Sequence, residues 1–210
     1  MRLAVCVPTS GLCKSTFAYA LAHTVGWFAK WEGCQDITLL MQESSVVHSN
    51  REQLVTRALE WDASHVLFVD DDMYWPPKAV LSLISRNLPI VAVNYPKRSF
   101  PIEFTAIDLA GNRMLTTHAS TGLQEAQFCG FGVALIQAHV FKALPAPRFL
   151  PGYMMSRSEY TTEDAPFMIA AKAAGFSTMI DHDASKMDIA HIGQHTYAWN
   201  QESTVTPHHG

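Results

Sequence analysis

Apolar residues in the first half of the chain are grouped in short runs separated by segments with helical spacing. Four runs have the composition of buried strands: residues 3–7, 37–41, 66–69 and 89–94. The helical segments carry apolar stripes, one of which is formed by Phe17, Leu21, Val25 and Phe28. A strand followed by a helix, repeated in units of about 30 residues, predicts a parallel sheet with right-handed crossovers.

The pattern changes in the second half of the chain. Three apolar segments separated by glycine-containing turns predict strands with little helix between them: residues 102–109, 113–118 and 125–136. A helix is predicted over residues 167–174, ended by Gly175 and followed by a strand at 176–180. We therefore predict one α/β domain over residues 1–200, with a mostly parallel central sheet flanked by helices. Its front half (1–98) is expected to bind a nucleotide, its irregular back half (99–195) an acceptor, and residues 201–210 form a loose tail.

The third predicted strand ends in three consecutive carboxylates, Asp70, Asp71 and Asp72. Carboxylates cannot stay unpaired in a protein interior, so the strand must emerge at a sheet edge, where open α/β sheets bind ligands. Hard oxygen ligands suit Mg²⁺ or Mn²⁺, which in turn suit a phosphate-bearing substrate. The alternative is an exposed acidic turn before the next helix. A helix cap needs only one aspartate, so a ligand site is favoured.

Composition narrows the class of protein. Of 210 residues, 48% are hydrophobic and only 16% are charged, which is enough for a full core and disfavours disorder. A net charge of −4 leaves no general surface for nucleic acid. The four cysteines form no CxxC pair, so we expect buried thiols in a reducing compartment. No run approaches the ~18 apolar residues of a membrane span, so a soluble, cytoplasmic protein is expected.

Residues 11–16 imitate a phosphate-binding P-loop, because a glycine and a Lys-Ser pair follow the first strand. The P-loop pattern needs glycine at two positions before its lysine, where this chain has Pro8 and Cys13. Both residues carry a Cβ where the backbone must wrap closely around phosphate, and Pro8 has no N–H to donate. We therefore reject this interpretation and expect Lys14 at the surface.

Two acidic residues, Glu163 and Asp164, precede the helix predicted at 167–174. Asp164 is suited to an N-cap, alone or in a capping box with Thr161. Capping would account for one acid here, and it does not prevent the same carboxylate from facing a ligand.

Further candidates lie at other strand ends. His191 follows an apolar segment and fits either a metal ligand or a buried structural histidine. Lys97 and Arg98 follow the fourth strand, where they fit either a diphosphate site or a solvated turn. Gly130 and Gly132 indicate a bulge or a close approach of the backbone to another group.

The order of these motifs resembles the GT-A fold glycosyltransferases that use nucleotide-sugar donors, and is similar to family 2. The resemblance covers residues 3–193 and rests on five segments: the strand ending in Pro8-Thr9, the DxD-type Val69-Asp70-Asp71-Asp72, residues 129–141, Glu163-Asp164 with Gly175 after it, and residues 190–193 around His191. The family's second strand often ends in an aspartate, whereas here only Glu43 is available. The resemblance implies a GT-A-like (Rossmann-like) sheet.

The resemblance also implies roles for individual residues. Asp70, Asp72 and His191 are expected to hold Mn²⁺ or Mg²⁺, and Asp164, beside Glu163, is expected to act as the general base of an inverting transfer. The residues expected to contact the nucleotide-diphosphate sugar are Pro8, Thr9, Glu43, Arg51, Asp70, Asp71, Lys97 and Arg98.

Two other functions fit the same strand ends. A sugar-phosphate nucleotidyltransferase is disfavoured, because the first loop lacks the glycines and basic residues that such enzymes usually carry there. A non-catalytic protein that binds nucleotide sugars stays open. The acceptor that supplies the hydroxyl stays open too: a glycan, a protein, a lipid or a modified nucleobase.

Overall fold

The computed structural model describes residues 1–154, 159–193 and 195–200, and the predicted tail at 201–210 lies outside them. The front half contains β1 (Arg2–Thr9), α1 (Ser15–Phe28), β2 (Asp36–Glu43), α2 (Val47–Glu60), β3 (His65–Val69), β4 (Met73–Tyr74), α3 (Pro77–Ser85) and β5 (Ile90–Ala92). The back half contains β6 (Ile107–Asp108), β7 (Leu123–Phe128), β8 (Val133–Gln137), α4 (Ala138–Ala143), β9 (Gly152–Met154), β10 (Glu159–Thr161), α5 (Asp164–Ala173), β11 (Thr178–Asp181), α6 (His182–Ser185), β12 (Ala190–Ile192) and β13 (Thr196–Ala198).

An eight-stranded sheet in the order β2-β1-β3-β8-β5-β11-β7-β6 forms the centre of the fold. β1 pairs in parallel with β2 and β3, and β5 pairs in parallel with β11. β8 lies antiparallel between β3 and β5, and β7 pairs antiparallel with β11 and β6. All strands of this sheet except β7 and β8 therefore run in one direction, which confirms the predicted α/β class with a mostly parallel central sheet.

Helices cover both faces of the sheet because its central strands are apolar on both sides. Leu3 and Val5 of β1 point to one face and pack in a cluster with residues of α1 and α3. Ala4 and Cys6 point to the other face, where α2, α4 and α5 contribute to the second cluster. The result is a three-layer arrangement whose strand ends lie between the helices. Within the described ranges, no helix combines the length and apolar character that crossing a membrane requires.

The irregular second half differs from the strands predicted for it. Only β6 forms within 102–109, and 113–118 contains no strand apart from one isolated bridge at Arg113. In these segments, the buried side chain of Asn94 makes hydrogen bonds to the backbone that a neighbouring strand would otherwise make. It donates to Met114 O (2.8 Å) and accepts the N–H of Ala106 (3.0 Å). The strand predicted at 125–136 is also wrong, because Gly130 and Gly132 break it into β7 and β8.

All four cysteines are free thiols. Cys6 and Cys129 are buried, as expected, and burial raises the pKa of the Cys6 thiol to about 12. The expectation of a buried thiol is wrong for Cys13, which is exposed because it lies on the loop between β1 and α1, outside the core. Cys34 is partly exposed.

Candidate active site

A cavity of about 410 Å³ opens where β1 and β3 end, opposite the start of α5. Its position follows from the topology, because the carboxyl ends of parallel strands meet at one edge of the sheet. Most of the predicted site residues lie in its wall: Pro8, Thr9, Arg51, Asp70, Asp71, Asp72, Arg98, Glu163, Asp164 and His191.

Asp72 and His191 meet at one side of this cavity although they are 119 residues apart in the chain. The pairing of the short strands β4 and β12 brings them together, and the N–H of Ile192 donates to Asp72 O (2.7 Å). His191 Nε2 lies 3.2 Å from Asp72 Oδ2, and its Nδ1 lies 3.1 Å from Pro96 O. A carbonyl oxygen only accepts hydrogen bonds, so Nδ1 carries a proton. In the protonated ring, Nε2 donates to Asp72 Oδ2, and in the neutral ring it offers a lone pair on the same side, where a cation could take the place of that proton.

A guanidinium already lies beside the same carboxylate oxygen. Arg98 Nη1 is 2.9 Å from Asp72 Oδ2. Burial alone would raise the pKa of Asp72, but the hydrogen bond and charge of His191, together with the charge of Arg98, hold that pKa below its ordinary value. One carboxylate and one imidazole with a fixed tautomer fit Mn²⁺ or Mg²⁺, which can take further oxygen ligands from phosphate and water.

The sequence predicts Asp70 as the third ligand, but its side chain has a different partner in the structure. Arg51 Nη2 donates to Asp70 Oδ1 at 2.8 Å. Over the described parts of the chain, no group of three or more His, Cys, Asp or Glu residues is arranged to hold a metal ion. Of the three expected ligands, the described structure brings Asp72 and His191 side by side, whereas Asp70 pairs with Arg51.

Arg51 is buried on α2 and collects three carboxylates around one guanidinium. Besides Asp70, its Nε donates to Glu163 Oε1 (2.8 Å), and Asp164 Oδ1 lies 3.9 Å from the same nitrogen. The guanidinium also lies 5.0 Å from the ring centre of Phe68. Two buried polar atoms of this cluster, Arg51 Nη1 and Asp164 Oδ1, have no hydrogen-bond partner among the residues that the structure describes. The cluster thus combines excess negative charge with unfilled hydrogen-bonding capacity.

The three carboxyl groups of this cluster differ in their pKa. Burial raises the pKa of Asp164 well above its ordinary value, and the charges of Glu163 and Asp70 add to the effect, although Arg51 opposes it. Burial acts in the same direction on Glu163, but Arg51 outweighs it and lowers that pKa. Burial raises the pKa of Asp70. A carboxyl with a raised pKa is a better proton acceptor once it is ionised.

The capping interpretation of Asp164 does not account for its position. Glu163 occupies the N-cap of α5, and no side chain there makes a capping hydrogen bond. Asp164 instead lies in the first turn and contributes to the wall of the cavity.

A second cavity of about 290 Å³ lies beside the first and shares Thr9 with it. Glu43, at the end of β2, lines this second cavity together with Cys13. Gly11 has a φ of +109°, and a Cβ there would lie 2.7 Å from Glu43 Oε1, so the close approach requires glycine. Lys97 is part of neither cavity wall, and its Nζ lies 3.6 Å from Glu103 Oε2.

The sequence interpretation missed polar residues at the end of β2. Ser44, Ser45 and Asn50 line the first cavity. Asn50 Nδ2 donates to Ser44 O (3.0 Å) and to Thr9 O (3.4 Å), which ties the ends of β2 and β1 together. The position of Ser44 and Ser45 directly after a strand was the available signal, since β1 and β2 are parallel and end at the same edge.

The element order and sheet topology give the chain a GT-A-like α/β fold. No protein-family model matches the chain, and no curated protein sequence matches it. Among solved structures, A197 from STIV superposes with a TM-score of 0.60 at 16% identity, covering 100% of both chains. GalNAc-T7 with UDP, GalNAc and Mn²⁺ gives a TM-score of 0.53 at 10% identity over 86% of this chain. The match covers 42% of the GalNAc-T7 chain.

Proposed function

We propose that this protein is a glycosyltransferase that moves a sugar from a nucleotide-diphosphate sugar to an acceptor hydroxyl. The observation that carries the proposal is a single cavity holding the cation-suited pair Asp72–His191 and the raised-pKa carboxyl of Asp164. The GT-A-like fold supports it, as does the neighbour GalNAc-T7, whose structure was determined with UDP and Mn²⁺.

The donor would lie across both cavities. The nucleoside part fits the second cavity beside Thr9 and Glu43, and the diphosphate fits the first, near Arg98. Asp72 and His191 would hold Mn²⁺ or Mg²⁺, which would neutralise the negative charge of the departing nucleoside diphosphate. Asp70 and Asp71 extend from the same strand end and are placed to orient the ribose and the sugar.

Asp164 would act as the general base. It takes the proton from the acceptor hydroxyl as that oxygen attacks the anomeric carbon, and its raised pKa suits this transfer. Its side chain lines the cavity and is 15% exposed, so part of the carboxyl is accessible to that hydroxyl. Attack from the face opposite the diphosphate inverts the anomeric centre. Glu163 stays ionised against Arg51 and holds the guanidinium in place.

The first prediction concerns Asp164→Asn. Asparagine keeps the shape of the side chain but cannot accept the proton, so transfer should fall by about 10²- to 10⁴-fold. Binding of the donor, measured by thermal shift with UDP- and GDP-sugars and Mn²⁺, should persist. The matched control is Asp108→Asn, which changes a partly exposed aspartate that serves a local turn and should retain transfer.

The test separates the proposal from its alternatives. The primary assay measures release of nucleoside diphosphate from a panel of sugar donors, with and without Mn²⁺. Near-normal turnover by Asp164→Asn would show that Asp164 is not the general base. Donor binding without any release, to water or to an added acceptor, would identify a non-catalytic binding protein. Consumption of a nucleoside triphosphate with a sugar phosphate would identify a nucleotidyltransferase.

A further inference from the structure

Arg98 packs along its stem and forms an ion pair at its head. The side chain is 54% exposed, yet Nη1 reaches into the cavity and lies 2.9 Å from Asp72 Oδ2. Its stem crosses Gly193, where an added Cβ would lie 3.0 Å from Arg98 Cδ. Because residue 193 is a glycine, no side chain occupies the space in which the arginine stem lies. The chain two residues earlier is fixed by the hydrogen bond between Pro96 O and His191 Nδ1.

The position of the guanidinium conflicts with the proposed cation. Arg98 Nη1 and His191 Nε2 both lie beside Asp72 Oδ2. A divalent cation held by Asp72 and His191 would repel the guanidinium at this short distance. Because the Arg98 side chain is 54% exposed and flexible, its guanidinium can leave Asp72 without disturbing the core. The diphosphate of the donor would bring a further anion into the same cavity, near Arg98.

We infer that Arg98 exchanges partners during donor binding. It neutralises Asp72 while no divalent cation is present, and it moves to the diphosphate when the cation and the donor are bound. This inference rests on the proposed function, since it needs both a cation at Asp72 and a diphosphate. Arg98 therefore weakens the binding of the cation alone but strengthens the binding of the nucleotide when the cation is present.

The exchange predicts opposite effects of Arg98→Ala on two dissociation constants. Without the competing guanidinium, Mn²⁺ alone should bind about two- to fivefold more tightly, the scale of a partly exposed ion pair. At saturating Mn²⁺, UDP and GDP should bind about tenfold or more weakly, because a charge-assisted bond to phosphate is lost. Mn²⁺ binding is measured from the electron paramagnetic resonance signal of the free ion, and nucleotide binding by calorimetry.

Two controls define the charge effect. Arg113→Ala removes a guanidinium of similar exposure (38%) that pairs with Glu103 outside the cavity, and it should change neither constant. Arg98→Lys keeps the positive charge and should return Mn²⁺ binding toward that of the wild type. Weaker or unchanged Mn²⁺ binding by Arg98→Ala would overturn the exchange.

Asp72→Asn separates failure of the exchange from failure of the proposed function. If Asp72→Asn loses Mn²⁺ while Arg98→Ala leaves both constants unchanged, the cation site stands and the exchange is wrong. If the wild type and Arg98→Ala bind Mn²⁺ no better than Asp72→Asn does, the cation site itself is wrong. The exchange then falls with it.

Discussion

At the scale of single residues, the raised pKa of Asp164 affects stability and activity in opposite ways as the pH changes. Burial makes its charged form unfavourable in the folded protein, and its pKa is raised above the ordinary 3.8. At a pH between 3.8 and the raised pKa, the folded state therefore keeps the proton of Asp164, whereas the unfolded state has released it. Stability should fall as the pH rises through this window, because the unfolded state binds fewer protons there. Over the same pH range, a growing fraction of Asp164 is ionised, which is the form that can act as a base.

This gives the prediction on pH. The free energy of unfolding of the wild type should decrease relative to that of Asp164→Asn as the pH rises from about 4 through the raised pKa. Transfer by the wild type should increase over the same range. Urea denaturation at a series of pH values measures the first trend, and initial rates measure the second. Parallel stability curves for the two proteins would show that Asp164 titrates near its ordinary pKa.

The sequence carried more information about Arg51 than was used. Leu54, Val55 and Ala58 form the inner face of α2, and Arg51 lies on the same stripe at helical spacing. A charge on a core-facing stripe must be paired, so its carboxylate partners could have been sought at once. Their identity could not be predicted, because Glu163 follows 112 residues later.

At the scale of elements, the site depends on segments too short to show a periodic pattern. β4 has two residues and β12 has three, yet their pairing places His191 opposite Met73 and next to Asp72. The acidic strand end and the histidine were recognisable from the sequence. The strand pairing that joins them was not, since hydrophobic alternation needs about four residues to be read.

The two glycines between β7 and β8 are required by Tyr95. A Cβ on Gly132 would lie 2.6 Å from Tyr95 Cζ, and the Gly132 N–H donates to Tyr95 Oη at 3.1 Å. The Tyr95 ring in turn packs edge-on against His191, with 5.5 Å between ring centres. The prediction of a close backbone approach in this segment is confirmed, and the approaching group is a side chain that supports the histidine.

Gly132→Ala and Gly26→Ala should therefore change stability in opposite directions. Gly132→Ala forces Tyr95 to move and should cost about 1–3 kcal/mol of unfolding free energy. Gly26 lies inside α1 with no atom within 4 Å of an added Cβ, so alanine there should add about 0.5–1 kcal/mol. Urea denaturation measures both changes. Equal stability of Gly132→Ala and the wild type would mean that Tyr95 is not held as described.

At the scale of the whole molecule, one buried ion pair joins the front and back halves of the chain. Arg51 belongs to α2, and Glu163 precedes α5 on the far side of the sequence. The α/β class and the strand-helix order of the front half could be predicted, because they follow from long apolar runs. The back half could not, since there Asn94 and other side chains take over hydrogen bonds that strands usually make.

Arg51→Gln should show how much this connection stabilises the molecule. The substitution leaves Glu163 and Asp70 without their cation in a buried site, so the expected loss is about 3–5 kcal/mol of unfolding free energy. Arg57→Gln on the same helix removes an exposed bond to Met41 O and should cost about 1 kcal/mol or less. Chemical denaturation compares the two. Similar small losses for both would show that Arg51 is weakly coupled to the back half.

The uneven burial of the thiols gives the protein a natural attachment point for a reporter dye. Cys13 is exposed and lines the second cavity, whereas Cys6 and Cys129 are buried with raised pKa values. A maleimide fluorophore should therefore couple first at Cys13, without engineering of the chain. Its emission would then report directly, in real time, on whatever molecule enters beside Glu43.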